Sequence, residues 1–316
     1  MEPEFQTKLV NALLDQQRKE LRWKKVRFFL LGGFFALIIL AYVAAIGAAM
    51  GPGAKPDNDY VALVRINGAI GPNEKASARF VIPALIEAFN DKQAKGVVVV
   101  INSPGGTPVQ SSLIRDRIIK LREEFPDKKV VVVAEDMLTS GAYMIATGVD
   151  TIYVNRSTLT GSIGVIIRSF GFVELADKLG VERRVYTAGE NKNSMDPFTP
   201  VDEQDKEKLK ATLTQVHQHF IDAVMESRGD KLKESPDELF TGEFWTGEQA
   251  VELGLVDGVS DLASVIRDDF DVKHIVEYGE EKALLARLTK LLGSSMADAV
   301  WQKMESSTHQ DSVMWH

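Results

Sequence analysis

The chain has 316 residues, of which 45% are hydrophobic, 26% charged and 8% aromatic, a composition that excludes wholesale disorder. It contains no cysteine, which excludes disulfides, thiol nucleophiles and cysteine-ligated metal sites. The formal net charge is -8, from 37 Lys and Arg against 45 Asp and Glu, which argues against nucleic acid as a partner. At roughly 150 residues per domain, the length allows one large domain or two ordinary ones.

The N-terminal region departs from this average composition. Residues 1–27 form a polar, helix-prone tail, and residues 28–50 (FFLLGGFFALIILAYVAAIGAAM) carry no charge. A helix of that length extends about 35 Å, enough to cross a hydrocarbon core of about 30 Å. We therefore expect a single transmembrane anchor. A signal peptide cleaved after Ala49 and a buried core helix are the alternatives, although the run exceeds the usual apolar region of about 7–15 residues in a signal peptide.

The flanks of the apolar run predict its orientation. Residues 51–59 (GPGAKPDND) form a Gly/Pro/Asp linker with one lysine and two aspartates. Six basic residues precede the run: Arg18, Lys19, Arg22, Lys24, Lys25 and Arg27. The positive-inside rule places the N-terminus in the cytoplasm. The residues after 51 then lie outside the inner face, which in a bacterium is the periplasm or exterior of the cell membrane.

Strands and helices alternate over residues 60–275. The β-branched runs at 97–101 (VVVVI) and 130–134 (VVVVA) are typical of strands buried on both faces of a parallel sheet. Further strands are predicted at residues 60–66, 151–154, 164–167 and 181–187. Helices are predicted at residues 79–94, 109–124, 141–147, 203–227 and 247–253. The alternation predicts an α/β domain with βαβ crossovers, followed by a C-terminal extension over 276–316 that we expect to be partly disordered.

Two loops follow the buried strands, at the sheet edge where ligand sites of parallel sheets collect. The first is NSPGG at residues 102–106 and the second is TSGAY at residues 139–143. A Gly-Gly turn lets backbone N–H groups approach a single point. Ser140 is expected at a helix start, where free N–H groups favour negative charge. The N–H groups of Gly106 and Gly141 are therefore candidate donors to an oxyanion.

A serine nucleophile needs a base, and the sequence alone leaves that base open. His217 and His219 lie two residues apart on a predicted helix and point different ways, so solvated or packing roles are favoured for them. Glu135 and Asp136 are adjacent on a strand end and face opposite ways, which favours solvation or a hydrogen bond to the loop. A lysine can serve as in Ser–Lys enzymes, but by position alone Lys192 is one of many.

A family resemblance singles out one lysine. The motifs NSPGG, TSGAY, TGSIGV (160–165), TAGENK (187–192) and FTGEFWTGEQAVELGLVD (240–257) occur in the order seen in the S49 family of serine proteases, the signal peptide peptidase A and SohB-like group. The likeness covers about residues 60–265 and implies a ClpP/crotonase-like fold. Where relatives often read Ser-Gly-Gly-Tyr, this chain has Ala142 in place of the second glycine.

The resemblance also implies roles for individual residues. It implies that Ser140 is the nucleophile, Lys192 the general base, and Gly106 and Gly141 the oxyanion donors. Ser162 is expected to orient the lysine. These roles would need no metal or cofactor.

The expected function is that of a membrane-anchored serine endopeptidase with a Ser–Lys dyad. Its implied substrates are remnant signal peptides and other hydrophobic peptides at the membrane, and its implied assembly is a homo-oligomer. The alternatives are a crotonase-type acyl-CoA enzyme and a non-catalytic membrane scaffold of the same fold.

Overall fold

The computed structural model describes residues 19, 21–38, 41–42, 56 and 58–279. The chain divides into two compact units, residues 1–55 and 56–316. In the first unit, residues 21–38 form helix α1. The predicted membrane run at 28–50 is covered only in part, because residues 39–40 and 43–50 lie outside the described residues. Within the described residues, no helix combines the length and apolarity that a membrane crossing requires. Most of the predicted C-terminal extension, residues 280–316, also lies outside them.

The second unit is built on one mostly parallel sheet, as the alternation of buried strands and helices predicts. Its strands are β1 (Tyr60–Asn67), β2 (Ala94–Ser103), β3 (Lys129–Thr139), β4 (Ile152–Val154), β5 (Leu159–Gly161), β6 (Phe244–Thr246), β7 (Gly258–Val259) and β8 (His274–Tyr278). The main order is β6-β5-β3-β2-β1-β8, and β4 pairs with both β3 and β7. Among these pairs only β5 and β6 run antiparallel.

Helices connect these strands and cover the sheet. They are α2 (Ala78–Asn90), α3 (Pro108–Glu124), α4 (Gly141–Ala146), α5 (Val173–Lys178), α6 (Glu203–Arg228), α7 (Pro236–Leu239), α8 (Gly247–Glu252) and α9 (Leu262–Phe270). The predicted mixed α/β class with βαβ crossovers is confirmed.

The valine runs form the centre of the sheet because both of its faces are covered. In β2, Val97 and Val99 are fully buried in the larger core cluster, which also contains side chains of α2 and α3. Val98 and Val100 point to the other face, where they are buried with Val265 of α9. Burying one such side chain contributes roughly 1.5–3 kcal/mol. The central strands β2 and β3 therefore form a rigid support for the loops that follow them.

The sheet forks at β3. Its first half pairs with β4 through Val132 and Val133, and its second half pairs with β5 through residues 137–139. The β5 branch lies at the carboxyl end of β3, immediately before Ser140. This fork brings the TGSIGV segment beside the TSGAY loop.

Two predicted strands are wrong. Residues 164–167 and 181–187 form neither strand nor helix. Both are rich in β-branched residues, but within the described chain no neighbouring strand pairs with them. Conversely, the short strands β5 and β6 and the edge strand β8 are not predicted, because their apolar runs are too brief or too mixed to show a clear period. Helix α9 is not predicted either, although its apolar residues follow the helical period.

Candidate active site

Ser140 lies at the sharp turn between β3 and α4, as the sequence predicts. It is the N-cap residue of α4 and has φ 54° and ψ -126°. A positive φ is uncommon for a residue other than glycine, so the surrounding structure must hold it in place. The Ser140 N–H donates a 2.7 Å hydrogen bond to the Gly161 carbonyl of β5. The turn therefore presents a half-buried serine hydroxyl at the start of a helix.

The NSPGG turn packs directly against this serine. Gly105 has φ +91°, and a Cβ added to it would lie 2.7 Å from both the Gly141 nitrogen and the Thr139 oxygen. Such distances do not occur between real atoms of this kind, so only glycine fits here. The Gly105 N–H donates to the Ser103 Oγ at 3.1 Å, which fixes the start of the turn.

The two predicted oxyanion donors lie next to one another. A Cβ added to Gly141 would lie 3.2 Å from the Gly106 nitrogen, and one added to Gly106 would overlap the Ile70 carbonyl at 1.9 Å. Within residues 58–279, the N–H groups of Gly106 and Gly141 donate no hydrogen bond. Two unpaired N–H groups beside a serine are what a developing oxyanion requires.

A cavity of about 110 Å³ opens beside Ser140, Gly106 and Gly141. Apolar side chains form most of its remaining wall: Pro108, Met144, Val165, Ile166, Val216 and Phe220. They come from α3, α4, the segment after β5, and α6. The wall can accept an apolar side chain of a bound molecule next to the serine.

Two long-range contacts anchor helix α4, one through Tyr143 within the helix and one through its C-cap residue Thr147. The Tyr143 hydroxyl donates to the Leu255 carbonyl at 2.7 Å, and burial raises the pKa of this phenol above its usual range. The buried Arg115 donates from Nε to the Thr147 Oγ1 at 2.9 Å and pairs with Glu226 of α6 at 2.6 Å. No motif identified these contacts, because they join positions far apart in the chain.

A buried ion pair supports the loop that receives the Tyr143 hydroxyl. Arg228 is 1% exposed, and its Nη1 lies 2.7 Å from the Asp257 Oδ2. Asp257 also accepts from the Ile152 N–H and from Lys231, each at 2.8 Å. Burial raises the pKa of Asp257, but the hydrogen bonds from Arg228, Lys231 and the Ile152 N–H outweigh it, so the net shift is downward. The pair links the end of α6 to the loop between α8 and β7.

Lys192 is not brought to Ser140 within the single chain. It lies exposed in the turn after Gly189, whose carbonyl accepts the Lys192 N–H at 3.1 Å. Among the described residues, its ammonium group makes no hydrogen bond or ion pair and does not line the cavity. Ser162, predicted to orient this lysine, has φ 52° and donates its N–H to the Glu243 carbonyl at 2.6 Å. It follows Gly161, so it lies close to Ser140 and away from any recorded contact with Lys192.

The acidic pair of β3 has separate partners. Glu135 pairs with Arg65 at 3.1 Å, and Asp136 accepts from the Asn102 side chain at 2.9 Å. The second contact is the predicted hydrogen bond to the loop, and it fixes the first residue of NSPGG. The two carboxylates do not form a catalytic pair.

Comparisons with known proteins identify a family to which the chain is similar. The family model of peptidase family S49 matches residues 123–272. The chain is 31% identical over 237 residues to a candidate protease of Methanocaldococcus jannaschii, covering 73% of this chain and 75% of that protein. It is 30% identical over 223 residues to a candidate signal peptide peptidase of Enterococcus faecium, covering 69% and 63%.

A more similar sequence belongs to a much longer protein. The chain is 45% identical over 255 residues to a Na⁺/H⁺ antiporter of Brucella melitensis, covering 79% of this chain but 34% of that protein. The chain therefore spans about a third of the length of this relative, whose name describes the longer protein. The family match and the protease relatives coincide with the part of the chain that carries the Ser140 loop. The chain belongs to peptidase family S49, a family of serine proteases.

Proposed function

We propose that the protein is a membrane-anchored serine endopeptidase of ClpP/crotonase-like fold, with Ser140 as nucleophile and Lys192 as general base. The observation that carries the proposal is the constrained Ser140 turn beside the unpaired N–H groups of Gly106 and Gly141. A serine in an uncommon backbone conformation next to two free donors fits acyl transfer better than simple binding.

The proposed reaction has two stages. The neutral Lys192 amine takes the Ser140 proton while the Ser140 Oγ bonds to the scissile carbonyl carbon, and the N–H groups of Gly106 and Gly141 hold the resulting oxyanion. Collapse breaks the peptide bond, and the Lys192 ammonium returns the proton to the leaving amine. Water then gives a proton to Lys192 and attacks the acyl-enzyme. Collapse of that intermediate frees the new carboxyl group, and Ser140 regains its proton.

Lys192 needs to be brought closer to Ser140 than it lies in the isolated chain. Residues 170–201, here called the exposed apolar segment, surround it and leave ten large hydrophobic side chains in solvent: Phe170, Phe172, Leu175, Leu179, Val181, Val185, Tyr186, Met195, Phe198 and Val201. Exposed apolar surface of this extent is typical of interaction sites. We infer that a second copy of the chain covers this segment and that the dyad is completed in the homo-oligomer, with Lys192 supplied by the neighbour.

The lining of the cavity and the family both support a substrate class. Six apolar side chains line the cavity: five are aliphatic, thioether or proline side chains and the sixth is the ring of Phe220. This lining favours an apolar peptide residue next to the scissile bond. Hydrophobic peptides such as remnant signal peptides meet this requirement. An anchor at residues 28–50 would hold the peptidase unit at the periplasmic or outer face of the cell membrane, where such peptides are released. Protease accessibility in spheroplasts tests that topology.

Paired variants test the dyad and its assembly together. Ser140→Ala and Lys192→Ala should each abolish hydrolysis of an apolar reporter peptide while thermal unfolding stays that of the wild type. Mixing the two inactive variants under conditions that exchange subunits should restore about a quarter of the activity, since random pairing joins an intact serine to an intact neighbouring lysine at one interface in four. Retained activity in either single variant overturns the dyad. An absence of restoration overturns the shared site.

A further inference from the structure

His217 makes a specific contact with the wall of the cavity. Its Nε2 lies 3.1 Å from the Ile163 carbonyl oxygen, and His217 is half-buried on α6. Because a carbonyl can only accept, the Nε2 carries the hydrogen of this bond. Val216 and Phe220, on the same part of α6, line the cavity beside Ser140. The imidazole therefore joins α6 to the segment that follows β5, at the edge of the cavity.

The segment that His217 holds is otherwise unpaired. Ile163 is fully buried, whereas Gly164, Val165 and Ile166 line the cavity. Gly164, Val165 and Ile166 belong to no helix or strand. Their backbone groups make no hydrogen bond within residues 58–279. Unpaired N–H and C=O groups along an extended chain can bind a peptide in the manner of an added strand.

We propose that His217 is a positioning residue for peptide binding, resting on the proposed peptidase function. Its hydrogen bond to the Ile163 carbonyl fixes the position at which residues 164–166 begin. Their free backbone groups then face a peptide whose scissile bond lies at Ser140. Without this bond, residues 164–166 lose their attachment to α6 at Ile163 and bind a peptide less well. His217 makes no recorded contact with Ser140, Gly106 or Gly141, so the chemistry itself should be unaffected.

Two substitutions of His217 separate donation from packing. His217→Leu removes the N–H donor, and His217→Gln retains one at a similar reach. His219→Leu is the matched control, because His219 lies exposed on the same helix without a recorded contact to Ile163. The readouts are KM and kcat for an extended apolar reporter peptide, and the rate at which a small fluorophosphonate labels Ser140, which needs no extended peptide wall.

Loss of one hydrogen bond to the wall should raise the KM of His217→Leu about tenfold, with kcat within about twofold of the wild type. Fluorophosphonate labelling should be unchanged, and His217→Gln and His219→Leu should both keep KM near the wild-type value. The dissociation constant of the uncleaved peptide, measured by fluorescence anisotropy in the Ser140→Ala background, should rise by the same factor.

An unchanged KM in His217→Leu overturns the positioning role. Three other results would show that His217 has a structural role and would also overturn the positioning role. They are slower fluorophosphonate labelling of His217→Leu, a lower melting temperature in both His217→Leu and His217→Gln, and a changed oligomer size. If the wild-type enzyme is neither labelled nor able to cleave any peptide, the proposed peptidase function itself fails. This outcome is distinguishable, because the wild type and the His217 variants would then all lack labelling and cleavage.

Discussion

The Ser140 N–H donates a 2.7 Å hydrogen bond to the Gly161 carbonyl, joining the TSGAY loop to the TGSIGV segment. This bond holds Ser140 at a positive φ that serine rarely adopts, and it connects the Ser140 turn to the strand that precedes the cavity wall. The geometry of the candidate site therefore depends on backbone contacts between loops that are distant in sequence.

Gly105→Ala should lower kcat about 100-fold, because the new methyl group would displace the Gly141 nitrogen, 2.7 Å away, and loss of one oxyanion donor has this magnitude. The matched control is Gly68→Ala. Gly68 has φ +82° but nothing within 4 Å of an added Cβ, so it shares the backbone strain without the clash. Gly68→Ala should lose about 1–2 kcal/mol of stability from that strain, and Gly105→Ala should lose more, because its methyl group also clashes with the Gly141 nitrogen and the Thr139 oxygen. Equal kcat values in the two variants would show that Gly105 does not determine the position of the Gly141 N–H.

Tyr143→Phe should lower the free energy of unfolding by about 1–2 kcal/mol, because the buried Leu255 carbonyl loses its 2.7 Å donor. Ser157→Ala is the control, since Ser157 is exposed and its hydroxyl makes no hydrogen bond to the described residues, so stability should change by less than about 0.5 kcal/mol. Denaturant unfolding monitored by circular dichroism measures both.

The pH dependence of the Tyr143 contribution has a defined sign. Burial raises the pKa of the folded-state phenol above that of the unfolded chain, so its contribution is fully present below about pH 10, the unfolded value. The stability difference between the wild type and Tyr143→Phe should shrink as the pH rises beyond that point. A difference that grows at alkaline pH would show that this phenol is not held in its protonated form.

Asp257→Asn should destabilise the protein by about 3 kcal/mol at neutral pH, because it leaves the buried Arg228 guanidinium without its charge partner. Asp268→Asn is the control, since the pair between Asp268 and Arg267 is largely exposed and screened by solvent, so its loss should leave stability nearly unchanged. Thermal or denaturant unfolding at several pH values provides the measurement.

The Asp257 contribution should disappear in acid. Its hydrogen bonds hold the pKa of the folded-state carboxyl below that of the unfolded chain, so the contribution is present above about pH 4 and is lost as the pH falls through the folded-state pKa. The wild type and Asp257→Asn should therefore converge in stability below about pH 4. Parallel stability curves down to strongly acidic pH would contradict this assignment.

Local patterns in the sequence were enough to predict the central strands and the position of Ser140. The VVVVI and VVVVA runs mark strands buried on both faces, and the loops after them can only lie at the carboxyl edge of a parallel sheet. The juxtaposition of Gly106 and Gly141 follows from that arrangement. The structure adds the reason for the glycines, which is the close approach of Gly105 to the Gly141 nitrogen.

Other features depend on contacts that no local pattern carries. Residues 164–167 have the composition of a strand but lack a neighbour to pair with, so they form no strand and their backbone groups make no hydrogen bond within residues 58–279. His217 has the spacing of an ordinary helix residue, and only the fold places its Nε2 against the Ile163 carbonyl. The sequence does not predict the separation of Lys192 from Ser140 in the isolated chain either, because the composition of a loop does not determine where its lysine side chain lies in the fold.

Covalent labelling of the 316-residue chain tests the central claim most directly. A fluorophosphonate should add once per chain of the wild type, and intact mass followed by peptide mapping should place the adduct on Ser140. The Ser140→Ala variant should take up no label while keeping the wild-type melting temperature. An adduct on another residue, equal labelling of Ser140→Ala, or no labelling of an active wild-type preparation would contradict Ser140 as the nucleophile.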